Sequence, residues 1–362
     1  MDFLANITSM PWQMPVMWII GAILIYLAIV KDMEPTLLLP MGFGAILVNL
    51  PNSGATEVIE TLYNAGIANE LFPLLLFIGI GAMIDFGPLL SNPKMLLIGA
   101  AAQFGIFFTL SMARLLGFEM IDAASIGIIG AADGPTSIVV ANQLGTKYVG
   151  AIMVAAYSYM ALVPIVQPPF IKLVTTKKER LIRMPYNPGS VSKGLRILFP
   201  ICVTVVAALV APASAALVGF LMFGNLIREC GVLDSLSNTA QNVLANLITI
   251  FLGITVAFSM KGESFLQPQT LMILALGLVA FIADTIFGVL FVKFLNLFSK
   301  NKMNPMIGAA GISAFPMASR VVHKMGLKED PQNFLLMHAA GANVAGQIAS
   351  AIVGGLIISL VA

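Results

Sequence analysis

The run Gly130-Ala131-Ala132-Asp133-Gly134-Pro135-Thr136-Ser137 constrains this chain more than any other stretch. It sets a carboxylate, a Gly-Pro pair and two hydroxyls inside an apolar segment from Ile121 to Val140, whose one other charge is Asp122 at its edge. Lipid offers no hydrogen bonds to backbone that a proline frees. Such a break is stable only inside protein or beside a watery cavity. An ionisable group at that depth is expensive and by default marks an ion or proton site.

Composition sets the class. The chain is 59% hydrophobic and 10% charged, against about 25% charged residues in soluble domains. An all-α polytopic membrane protein is expected, with little mass outside the bilayer. A net charge of +2 points to no nucleic-acid partner. Cys202 and Cys230 lack metal-ligand spacing and read as small apolar packing residues. His323 and His338 are not spaced as a metal pair. No phosphate-binding glycine loop and no Ser-His-Asp grouping occurs, so neither an ATP site nor a hydrolase is expected. The first apolar segment, Pro15 to Val30, has no Lys or Arg before it and reads as a retained span rather than a signal peptide.

Apolar spans are expected near 15–30, 35–50, 71–87, 95–117, 150–172, 197–211, 213–227, 241–259, 270–293 and 334–360, with interrupted segments near 121–145 and 304–327. Pro40, Pro73, Pro164 and Pro200 predict kinks. The sequence also repeats weakly. Phe77-Ile78-Gly79-Ile80-Gly81 resembles Phe251-Leu252-Gly253-Ile254-Thr255 at an offset of 174, and Gly130-Ala131-Ala132 recurs as Gly308-Ala309-Ala310 at 178. The expectation is two homologous halves, 1–172 and 197–362, joined by a basic linker 173–196. Each half holds five spans and one broken or re-entrant segment.

Charge orients the halves. If each broken segment returns to its own side, five crossings per half make the repeats inverted. Placing the basic loop in the cytoplasm then puts every Lys and Arg there except Arg114, Lys147 and Lys261, as the positive-inside rule asks. Both termini fall outside. Inverted repeats with paired broken helices are a recurring build of secondary transporters, whose sites lie near the midplane where the breaks meet.

Sodium takes hard oxygen ligands, and these segments supply them. Asp133, Thr136 and Ser137 lie on the first break; Asn304 and Ser313 lie on the second; Asn343 lies in the last span, and Tyr157 and Tyr159 lie in the span after the first break. Each has a plainer alternative. Asp133 can form a turn, Asn304 can cap a helix before Pro305, and Ser313 can bond back to its own helix. Asn343 can glue helices together, and Tyr159 can anchor at an interface. Arg320 is either one more positive-inside charge or an attractor for an anion. Asp284, in mid-span without a break, is an ion ligand or the partner of a buried polar group.

Three long motifs and a shorter stretch carry a resemblance. They are Gly127 to Ile138, Ala155-Ala156-Tyr157-Ser158-Tyr159-Met160, Asn304 to Arg320, and the surroundings of Asn343. Over nearly the whole chain these resemble the β subunit of the sodium-pumping, biotin-dependent decarboxylases that act on oxaloacetate, methylmalonyl-CoA, glutaconyl-CoA or malonate. The resemblance implies an elevator-type transporter of the bacterial cytoplasmic (inner) membrane that decarboxylates carboxybiotin, consumes a proton and exports Na+. It implies a homotrimer working with a carboxyltransferase α subunit, a biotin carrier domain and a small membrane γ/δ subunit, and no tightly bound cofactor of its own. Carried over residue by residue, it gives Asp133, Asn304 and Asn343 as sodium-site residues, with Thr136 and Ser313 beside them. Asp133, Tyr159, Ser313 and Arg320 become residues for ion, proton or carboxybiotin handling, and Gly308 falls in the same motif. A stand-alone sodium/solute symporter of the same architecture is the alternative. The acid decarboxylated, the sodium stoichiometry and the role of Asp284 are not legible in the sequence.

Overall fold

The computed structural model describes residues 10–185 and 191–362, so residues 186–190 of the expected 173–196 linker lie outside the described residues. The described residues form helices α1 (Gln13–Val30), α2 (Pro35–Val48), α3 (Ala55–Gly66), α4 (Leu71–Met83), α5 (Gly87–Ser91), α6 (Met95–Ala101), α7 (Phe104–Leu115), α8 (Met120–Gly127), α9 (Gly134–Leu144) and α10 (Val149–Val174). They continue as α11 (Lys177–Arg180), α12 (Lys193–Val210), α13 (Ala215–Glu229), α14 (Asp234–Asn238), α15 (Ala245–Val256), α16 (Gly262–Phe265), α17 (Pro268–Phe298), α18 (Met317–Glu329) and α19 (Leu336–Val361). A π turn at Thr239–Leu244 joins α14 to α15, and tighter 3-10 turns fill Ile128–Ala131 and Pro305–Gly311.

Every expected apolar span is a helix. Seven helices among the described residues are long and apolar enough to cross a membrane, and the pair α3–α4, bent by 64°, makes an eighth if taken as one span. α2, α4 and α13 have 14, 13 and 15 residues. At 1.5 Å per residue each falls short of a hydrocarbon core about 30 Å thick. The structure corrects several details. The span expected at 95–117 is one candidate crossing, Met95–Leu115, with a turn at Ala102 and Gln103 between α6 and α7, and α3 was not foreseen. Pro73 lies in the first turn of α4, where its missing N–H leaves no bond unmade, so it gives no reason for a kink. Cys202 is exposed on α12 rather than packed inside.

The helices pack in two groups. In one, α1 lies on α2, α12 on α13, α2 crosses α15 and α4 crosses α13. In the other, α10 packs on α17 and α6 on α19; the first interrupted segment lies against α7, α17 and α19, and the second against α6, α17 and α19. Small residues let these backbones meet closely. A Cβ added at Gly81 would sit 1.9 Å from the Leu221 carbonyl oxygen, and one at Gly224 would sit 2.0 Å from that of Ile78. In the second group a Cβ added at Gly130 would sit 2.3 Å from the Gly105 carbonyl oxygen, and one at Gly308 would sit 2.0 Å from that of Gly288. Backbone cannot yield as a flexible side chain can, so Gly308→Ala should destabilise the fold by about 1–3 kcal/mol. Gly219→Ala, whose new methyl meets only Thr204 Cγ2 at 3.7 Å, should lose nothing. Thermal unfolding of the detergent-solubilised protein checks both.

Candidate functional site

The first break is made by backbone conformation rather than by proline. α8 and its 3-10 continuation end at Ala131; Ala132 then turns left-handed (φ 52°) and Asp133 is extended. Holding a non-glycine residue there costs roughly 1–3 kcal/mol, and it brings Asp133 to the N-cap of α9. Pro135 sits in the first turn of α9 and frees no backbone group, which corrects the role expected of it. The second break separates Pro305–Gly311 from α18 through residues 312–316. The two breaks touch: the Ser313 N–H donates to the Ala131 carbonyl at 3.0 Å.

Asp133 is 1% exposed. Its Oδ2 accepts from Thr136 Oγ1 (2.8 Å), Gln347 Nε2 (3.0 Å) and Ser350 Oγ (2.6 Å), and its Oδ1 accepts from the Thr136 N–H (3.2 Å). The positive end of α9 points at the same carboxylate. No Lys, Arg or His among the described residues lies within ion-pair distance of it. The carboxylate therefore has donors in plenty but no countercharge.

One helix holds both breaks. Asn343, Gln347 and Ser350 are spaced i, i+4, i+7 and share a face of α19. Gln347 and Ser350 serve Asp133. Asn343 Nδ2 donates to the Ile312 carbonyl at 2.6 Å, and Ser313 Oγ donates to the Gly346 carbonyl at 3.0 Å rather than back to its own helix. The Oδ1 of Asn343 is buried with no hydrogen-bond partner among the described residues. A cavity of about 150 Å³ opens beside this junction, lined by Asp133, Tyr157, Ser313 and Gln347 on one side and by Leu37, Leu76 and Leu252 on the other. The Tyr157 ring lies against Gly134, where a Cβ would come within 2.6 Å, and its hydroxyl is likewise buried and unpartnered. Carboxylate, phenol, hydroxyls and a free amide oxygen form a donor set suited to a hard monovalent cation.

The structure thus brings Asp133, Thr136, Ser313 and Asn343 together. It places four other sequence candidates elsewhere. Asn304 caps the Pro305–Gly311 segment by accepting from the Met306 N–H (3.1 Å), and its Nδ2 donates to the Arg180 and Ile182 carbonyls at 2.9 Å each. Tyr159 turns to α17, donating its hydroxyl to the Leu274 carbonyl. Arg320 is exposed and lines a separate cavity of about 390 Å³ with Lys172, Lys324 and Lys328. Asp284 accepts from the Gly105 N–H at 3.0 Å and so caps α7 after its break. Of the tyrosine pair that the sequence offered, Tyr157 is the one that lines the cavity. Gln347 and Ser350 are the site groups that sequence reasoning passed over, and the i, i+4, i+7 polar stripe on an otherwise small-residue helix was the available signal for both.

Comparison with known proteins places the whole chain beside a set of relatives. A family model described as Na+-transporting oxaloacetate decarboxylase beta subunit matches residues 13–361. The methylmalonyl-CoA decarboxylase subunit beta of Veillonella parvula is 51% identical over 345 residues, covering 95% of this chain and 92% of the relative. The glutaconyl-CoA decarboxylase subunit beta of Acidaminococcus fermentans is 50% identical over 359 residues, covering 99% and 96%. A probable oxaloacetate decarboxylase beta chain of Vibrio cholerae is 45% identical, covering 97% and 96%.

Asn343→Ala removes the bond to the Ile312 carbonyl and loosens the second break. The Ser313 amide should then exchange with deuterium about tenfold faster or more, since a lost buried hydrogen bond costs about 1–3 kcal/mol. Tyr159→Phe, which touches α17 instead, should leave that amide unchanged.

Proposed function

The chain belongs to the family of Na+-transporting oxaloacetate decarboxylase beta subunits, and from that premise we propose how its buried carboxylate takes part in sodium pumping. The chain is the membrane subunit of a sodium-pumping decarboxylase. Its relatives carry the names of three different substrates, so the acid or acyl-CoA is selected outside this chain. A partner carboxyltransferase subunit loads CO2 onto biotin, and a biotin carrier brings the carboxybiotin to the membrane.

The observation that carries the reading is Asp133, desolvated at the junction of two broken segments and lacking any cationic partner. An unpaired buried charge is costly, and a bound sodium ion removes that cost. Asp133 is the charged ligand, with Tyr157, Asn343 and the Thr136, Ser350 and Ser313 hydroxyls as neutral oxygens nearby. Asn304 acts on this site indirectly, by fixing where the second broken segment starts. Decarboxylation of carboxybiotin takes up one proton as the N–C bond breaks and CO2 leaves. A proton that displaces sodium from Asp133 and then reaches carboxybiotin couples the two events. Arg320, with Lys172, Lys324 and Lys328, forms an electropositive vestibule that holds the carboxylate of carboxybiotin.

The two sequence halves, 1–172 and 197–362, read as inverted repeats joined by linker 173–196, and each helix group draws on both halves. Paired crossings support this: α2 on α15 mirrors α13 on α4, and Gly105–Gly130 mirrors Gly288–Gly308. The Asp133 cavity lies between the groups, the place where an elevator-type movement would open it to alternate sides. The basic vestibule and linker face the cytoplasm in this reading, and both termini lie outside. A homotrimer with a small γ/δ membrane subunit completes the complex.

The test is sodium uptake by proteoliposomes containing the assembled decarboxylase. Wild type should couple carboxybiotin decarboxylation to sodium uptake, and Asp133→Asn should lose both by at least 100-fold. Ser350→Ala, which removes a bond to a charged acceptor worth about 1.5–3 kcal/mol, should raise the sodium concentration for half-activation about tenfold or more. Decarboxylation indifferent to sodium, or sodium-driven solute uptake without biotin, would overturn the reading.

A further inference from the structure

Glu34 is the one residue among those described that lines both the Arg320 vestibule and the Asp133 cavity. It is half-buried at the N-cap of α2, in a left-handed conformation (φ 39°). Its carboxylate feels the positive charge of Arg320 and the negative charge of Asp32. Burial pushes its carboxyl upward, Arg320 pulls it back, and Asp32 adds to the rise.

The two cavities make opposite electrostatic demands. The vestibule, with Lys172, Arg320, Lys324 and Lys328, favours an anion and repels a cation. The Asp133 cavity favours a cation. Unit charges about 4 Å apart interact by roughly 4 kcal/mol near a protein surface, so a cation crossing the vestibule meets a barrier unless a negative group lies on its path. The acidic residues there are not equivalent. Glu329 is already engaged by Arg180 at 2.7 Å. Asp32 is exposed and lines the vestibule alone. Only Glu34 reaches both sides.

We infer that Glu34 is a positioning residue for cation transfer, a negative step that passes sodium between the basic vestibule and Asp133 without being a ligand in the final site. The inference rests on the sodium site proposed above. A stepping stone changes the rate of loading and leaves the equilibrium alone, whereas a ligand changes both.

The experiment follows 22Na+ binding to the purified complex, in time and at equilibrium, for wild type, Glu34→Gln, Glu34→Asp and Asp133→Asn. Glu34→Gln should slow sodium loading and lower kcat/KM for sodium at least tenfold, with the equilibrium Kd within twofold of wild type. Glu34→Asp should recover most of the rate. Wild-type loading in Glu34→Gln, or a Kd that weakens as much as the rate, would overturn the inference. Normal sodium binding by Asp133→Asn would instead overturn the underlying sodium site. A charge test within one folded protein complements these variants. On a Cys202→Ser, Cys230→Ser background, Glu34→Cys is modified with sulfonatoethyl or trimethylammonioethyl methanethiosulfonate. The anionic adduct should restore fast loading and the cationic one should not; equal rates with both would overturn the assignment.

Discussion

A desolvated carboxylate without a cation beside it is the constraint that organises this molecule. Asp133 must be held by donors that the fold itself supplies, and each donor fixes an element. Thr136 fixes the start of α9, while Gln347 and Ser350 fix the rotation of α19 about its axis. Once α19 is so rotated, Asn343 and Gly346 meet the second break at Ile312 and Ser313. A single polar stripe therefore positions two interruptions that lie about 180 residues apart in sequence.

The packing around the site answers the same need. Buried polar groups in a membrane protein are tolerable when neighbouring backbones close over them, and small residues permit that closure. The glycine crossings of α7 and α17 with the interrupted segments leave no width for a side chain. The other wall of the cavity is different in kind. Leu37, Leu76 and Leu252 present apolar surface there, interspersed with Thr36, Asn246 and Thr249. One wall is stitched and the other is only in contact.

Much of this was legible in the sequence because hydropathy reports span position directly, and every apolar span expected became a helix. Asp133 was legible for the same reason, as a charge where the flanks admit none. The apolar stretches behind α2, α4 and α13 were already shorter in the sequence than an upright crossing, and their helices have 14, 13 and 15 residues. What escaped follows from limits in that signal. Proline marks a break by composition, yet Pro135 and Pro73 sit in first turns and the actual turn is made by Ala132, a residue with no signature of its own. Motif position likewise treats neighbours alike. Tyr157 and Tyr159 stand two residues apart in one motif, yet their hydroxyls diverge, one to the cavity and the other to α17. Asn304 belongs to the second motif, but its contacts tie it to the loop after α11.

The Ser313–Ala131 hydrogen bond has a mechanical corollary. The tips of the two interrupted segments are fastened to each other and, through α19, to a common shaft. Prising them apart would sever a ladder of bonds at once, whereas sliding the whole unit along the leucine-lined wall severs none of them. In the sliding movement proposed above, access to the carboxylate would be governed by a bearing surface rather than by a hinge. A bulky or sticky substitution at Leu37, Leu76 or Leu252 would act as a brake, changing how fast the unit travels while leaving what it carries untouched.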